Sequence, residues 1–129
     1  VDMLPRLKAL LPQGQSVFNK IVFSLYGQKD IRDALEVLKR KDLVLVGQET
    51  DVCIAQSAID LVNAGYRVWV ADDATASPGP HHEAGLRRMR GSGVTVSGIK
   101  GIYYEWLRDV PTAIAVETAV NKTPSDLTL

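Results

Sequence analysis

Leu4, Leu7, Leu10 and Leu11 recur at helical spacing across residues 3–11, and Pro12-Gln13-Gly14 breaks the pattern, so a short amphipathic helix is expected first. Val17, Phe18, Ile21, Val22 and Phe23 follow as a β-branched and aromatic run enclosing Lys20, which predicts a buried strand carrying one charge. Ile31, Ala34, Leu35 and Leu38 then mark a second helix. Gln28 or Asp30 can start it, and Lys39-Arg40-Lys41 suit the negative end of its dipole. Leu43-Val44-Leu45-Val46 is apolar without alternation, as a parallel strand covered on both faces requires. Ile54, Ala58, Leu61 and Val62 give a helix face over 52–64, with Thr50 and Asp51 as capping candidates and Gly65 as its stop. Val68 to Ala71 reads as a strand ended by Asp72-Asp73, His82 to Met89 as a helix, and Val94 to Val96 as a last short strand. A terminal helix over 101–109 and a surface tail over 111–129 complete the reading.

Strands alternating with helices at this spacing imply right-handed βαβ crossovers. The expected class is α/β, a three-layer α/β/α arrangement on a parallel sheet, with one domain over 1–110 and a tail over 111–129. A chain of 129 residues with 46% hydrophobic and 23% charged side chains fits one domain with a real core. Fifteen basic residues balance fifteen acidic ones, so no net field draws the chain to nucleic acid or an anionic membrane, and a small-molecule partner is expected. The single cysteine cannot form an internal disulfide, and no apolar run approaches the ~20 residues of a membrane span. A cytoplasmic location is expected on those grounds.

Chemistry concentrates at Cys53. In open α/β sheets ligands bind beyond the carboxyl ends of the strands, and Cys53 lies six residues past Gly47 on such a connection. A thiol in a first helical turn faces unpaired N–H groups and the positive end of the dipole, which favours the thiolate. The same N–H groups can hold the oxyanion of a tetrahedral intermediate, at ~3 kcal/mol per donor. Asp51 opposes this if it points inward. Lys20 is costly to bury among apolar neighbours unless an anion accepts its charge, and a thiolate would do so. A buried packing role for Cys53 and a solvent-reaching Lys20 are the plainer alternatives.

Four segments together resemble the isochorismatase-like hydrolases, a superfamily of cysteine hydrolases that includes nicotinamidases and other small amidases. They are Asn19 to Ser24, Leu43 to Cys53, Asn63-Ala64-Gly65-Tyr66 through Val70 to Asp72-Asp73-Ala74-Thr75, and Met89 to Val94. The resemblance runs from about residue 4 to residue 108. It implies that Cys53 is the nucleophile, that Lys20 stabilises charge beside it, and that the backbone N–H groups of Glu49 and Cys53 form the oxyanion hole. It also implies a cis peptide between Gln48 and Glu49. Phe23, Tyr26 and Glu49 are the residues chosen to line a substrate pocket. A cysteine at this place points to an amide-like C–N bond rather than to isochorismate itself.

The resemblance also implies an aspartate on an earlier strand, and only nineteen residues precede Lys20; Asp2 is not assigned that role. Two family strands are thereby expected to be missing between the Lys20 and Cys53 strands, which would split the sheet. The adjacent pair His81 and His82 does not have the spacing of two ligands on one helix face, so a solvated or capping role is expected and no metal or cofactor is assigned. A homo-oligomer, dimer or tetramer, is the expected assembly. A non-catalytic binding protein of the same fold and a redox-sensitive cysteine protein are the competing functions.

Overall fold

The computed structural model describes residues 3–120. Three parallel strands, β1 (Asp42–Gln48), β2 (Arg67–Ala76) and β3 (Thr95–Ser97), lie in the order β1-β2-β3 and are flanked by helices. The other elements are α1 (Pro5–Lys8), a 3₁₀ turn (Leu25–Gly27), α2 (Lys29–Leu38), a π-helical turn (Thr50–Ile54), α3 (Ala55–Asn63), α4 (His81–Gly91), α5 (Ile99–Leu107) and α6 (Val110–Val120).

Each crossover starts and stops on residues suited to it. Lys39 ends α2 in the left-handed region at φ 51°, with its N–H bonded to the Glu36 carbonyl. Gly65, at φ 90°, turns the chain out of α3, and the Tyr66 N–H closes on the Leu61 carbonyl. The chain then enters β2 with the Arg67 N–H on the Lys41 carbonyl, placing Asp42 opposite Arg67. Ile54, Ala55, Ala58 and Leu61 of the Cys53 connection pack with Val68 and Val70 of the sheet, Leu86 and Met89 of α4, and Val94 as one core cluster. Burial of this cluster, at roughly 25 cal/mol per Å² of apolar surface removed from water, is what fixes α3 and α4 against the sheet.

The sheet register breaks near its carboxyl end. β1 advances from Leu45 to Gly47 while β2 advances from Val70 to Thr75. The extra β2 residues serve other partners: Ala71 pairs with Ser97, and the Asp73 carboxylate accepts the N–H of Ile99 at the start of α5. Gly47 sits in this break at φ 117°, a conformation only glycine enters freely.

Five expectations are corrected. Residues 17–23 form no strand: the Lys20 ammonium donates to the carbonyls of Val22 and Phe23, so the chain curls around its own lysine. The Gln28 side chain closes the loop, accepting from the Ile21 N–H and donating to the Asn19 carbonyl. With that segment outside the sheet, the three strands are contiguous and the sheet is not split. The opening helix shrinks to one exposed turn, Pro5–Lys8, because its leucines find no core to bury against. β1 is not covered on both faces: Leu43, Val44 and Leu45 are half-buried and Val46 is exposed, and among the described residues β1 is also paired on one edge only. Beyond Val110 the chain is helical, with Ala113 buried, while residues 121–129 of the expected tail lie outside the described residues.

Candidate active site

β1 ends at Gln48, and the Gln48–Glu49 peptide is cis. The next five residues, Thr50–Ile54, form a π-helical turn rather than the first turn of an ordinary α-helix. The Glu49 carbonyl accepts the N–H groups of Val52 and Ile54, which binds the turn to the strand end. Cys53 is half-buried in this turn as a free thiol.

The Lys20 loop reaches the same point from a distant part of the sequence. Lys20 Nζ lies 3.7 Å from Cys53 Sγ while also donating to the two loop carbonyls. The ammonium is therefore held by its own backbone and offered to the sulfur. The loop is tied to the cysteine helix a second time, by the Leu25 N–H donating to Ser57 Oγ at 2.9 Å.

Asp51 does not face the sulfur as a free charge. Its Oδ1 accepts a 2.6 Å hydrogen bond from Ser77 Oγ, and its Oδ2 lies 3.8 Å from His81 Nδ1. The Ser77 hydroxyl, helped by the Asp51 backbone N–H and the nearby His81, holds the carboxyl below its ordinary range despite partial desolvation. Thr50, wholly buried, pairs through Oγ1 with His82 Nδ1 at 2.9 Å. Gly85 of α4 lies so close to this turn that a Cβ there would sit 2.8 Å from the Asp51 Cα.

Cys53, Lys20, Gln48 and Glu49 are thus brought to one place. Phe23 joins it through its carbonyl while its side chain is largely exposed. The Tyr26 ring is turned to the core, edge-on to Tyr66 at 6.2 Å and beneath Arg32. Buried Thr75, opposite Gly47, and buried Ser24, next to the Lys20 loop, have hydroxyl oxygens without a hydrogen-bond partner. Among the described residues no group of three or more His, Cys, Asp or Glu side chains could hold a metal, and no helix is long and apolar enough to cross a membrane.

Sequence reasoning missed the ties from Ser77, His82 and Gly85. The signal for Gly85 was a glycine inside a helix, where it costs about 1 kcal/mol relative to alanine. The other two carried none, because their partners lie 26 and 32 residues away.

Comparison with known proteins gives a consistent picture. The family model for the isochorismatase domain matches residues 2–100. The chain is 38% identical over 94 residues to isochorismatase family protein 2A of Dictyostelium discoideum, covering 71% of this chain and 47% of that protein. An isochorismatase-like hydrolase from Alkaliphilus metalliredigens superposes with a TM-score of 0.73 at 27% identity, over 81% of this chain and 57% of the other. A nicotinamidase from Bacillus subtilis superposes with a TM-score of 0.57 at 30% identity, over 60% and 44% respectively. The chain spans about half the length of the curated relatives it matches.

Proposed function

The chain belongs to the isochorismatase family of hydrolases, and on that premise we propose that it hydrolyses a small amide or related C–N bond with Cys53 as nucleophile. The observation that carries the reading is the 3.7 Å approach of Lys20 Nζ to Cys53 Sγ. A cation fixed at that distance stabilises a thiolate and the negative charge that develops as the thiolate attacks.

The reaction runs in two stages. The Cys53 sulfur adds to the substrate carbonyl, and the N–H groups of Glu49 and Cys53 take the oxyanion. The C–N bond then breaks, the nitrogen leaves with a proton, and a thioester remains on Cys53. Water adds to the thioester, the carboxylate departs, and the sulfur returns to its starting state. The family resemblance implies an aspartate as the group that moves the proton, and turnover is to be measured on the whole protein. Phe23 and Glu49 are the residues proposed to line the approach to the sulfur, and a homo-oligomer is the proposed assembly, to be read by sedimentation of the whole protein.

Replacement tests the reading directly. Cys53→Ala is expected to abolish turnover of a small amide with the fold retained, and Lys20→Gln to lower kcat by on the order of 100-fold, the size of effect lost with one charge-stabilising group. Activity retained in Cys53→Ala overturns the mechanism.

A further inference from the structure

The π-helical turn that carries Cys53 has no side-chain cap of its own, and Glu49 at its start supplies only a carbonyl. Three contacts from one neighbouring stretch hold it instead: Ser77 on Asp51, His82 on Thr50, and the Gly85 backbone against the Asp51 backbone. The middle contact differs from the others in resting on a wholly buried side chain. Thr50 is fully buried, and its hydroxyl has the imidazole Nδ1 as partner at 2.9 Å.

We propose that His82 is a positioning residue for the nucleophile: through its hydrogen bond to Thr50 it fixes the turn on which the Cys53 sulfur and the proposed oxyanion donors stand. The inference rests on the reading of Cys53 as nucleophile. Thr50 is three residues before Cys53 and one after Glu49, so its side chain anchors the segment between the two proposed oxyanion donors. An error of about 1 Å in such a constellation costs up to 100-fold in rate. A buried hydroxyl that loses its partner also drives the turn to find another, which moves the backbone. The bond tolerates either tautomer of His82, since the hydroxyl can donate to Nδ1 or accept from it.

The test uses the full-length protein with four single variants and one double. Thr50→Val and His82→Phe remove the bond while keeping shape, and Thr50→Ser and His82→Asn keep a hydrogen-bonding group in place. Thr50→Val and His82→Phe are each expected to lower kcat on the order of tenfold, with KM within about twofold, because the loss falls on transition-state alignment. Cys53 alkylation by iodoacetamide slows in the same variants, and amide exchange over residues 51–54 accelerates. Thr50→Ser and His82→Asn restore all three, and Thr50→Val/His82→Phe is no worse than the weaker single variant.

Multiplying single effects in the double variant overturn the proposal, as does faster exchange with kcat and alkylation unchanged, which marks a bond that only supports the fold. If the unaltered protein shows no turnover and Cys53 reacts no faster than free cysteine, the hydrolase reading fails. The brace is then judged by exchange and alkylation alone, and no change in either overturns it.

Discussion

Asp51 lies two residues from Cys53, and its orientation decides whether it works against a thiolate. The Ser77 hydroxyl and His81 hold the Asp51 carboxylate, while Lys20 Nζ lies 3.7 Å from the sulfur. The same bond has a pH signature. Because Ser77 holds the folded Asp51 carboxyl below its ordinary range, the bond adds stability when the carboxyl is ionised and loses it as pH falls through the folded value. Ser77→Ala is therefore expected to lower Tm at pH 7, with the difference from the unaltered protein shrinking below about pH 4. A difference that stays constant down to pH 2 contradicts this account. Lys20 and Cys53 were legible in the sequence because each is an unusual residue for its surroundings. Ser77 and His82 are ordinary loop and helix-start residues there, and only the fold reveals what they touch.

Among the elements, α4 does two jobs. Leu86 and Met89 bury its inner face in the core, and Gly85 lets its backbone lie directly on the Cys53 turn. A Cβ at Gly85 would meet the Asp51 Cα at 2.8 Å and N at 2.9 Å, and backbone on both sides leaves little to yield. Gly85→Ala gains about 1 kcal/mol of helix propensity and meets an overpacking cost of about 1–3 kcal/mol, so Tm and kcat should both fall. Gly91→Ala, in the last turn of the same helix where a Cβ meets nothing within 4 Å, is expected to hold or raise Tm. If both substitutions behave alike, the close approach is not what selects glycine at 85.

Periodicity located α2, α3, α4, β1 and β3 to within a few residues, because each has an apolar face that the core consumes, whereas β2 runs on through Asp72-Asp73, the expected strand end, to Ala76. It failed for residues 17–23, where Ile21 and Phe23 are apolar yet exposed and local hydrogen bonds to Lys20 and Gln28 set the conformation. It also could not foresee that the first turn after β1 would be π-helical. The same apolar faces give an α3 and a Cys53 turn whichever way the turn is wound.

Over the whole molecule, the site gathers elements far apart in sequence: a loop at 20–24, the end of β1, and the start of α4. The short, contiguous sheet sets their spacing, and the register break at Gly47 and Thr75 lies at the same carboxyl end. That gathering explains why residue patterns could single out Cys53 and Lys20 but not the framework that holds them. The chain covers about half the length of its curated relatives, so turnover remains a proposal to be measured on the whole protein. The most direct measurement is acid-quenched mass spectrometry of that protein during turnover of a small amide, with the adduct mapped by peptide. The account predicts the substrate's acyl group on Cys53 as a thioester released by hydroxylamine. Turnover with Cys53 unmodified, or an acyl group mapped to another side chain, contradicts it.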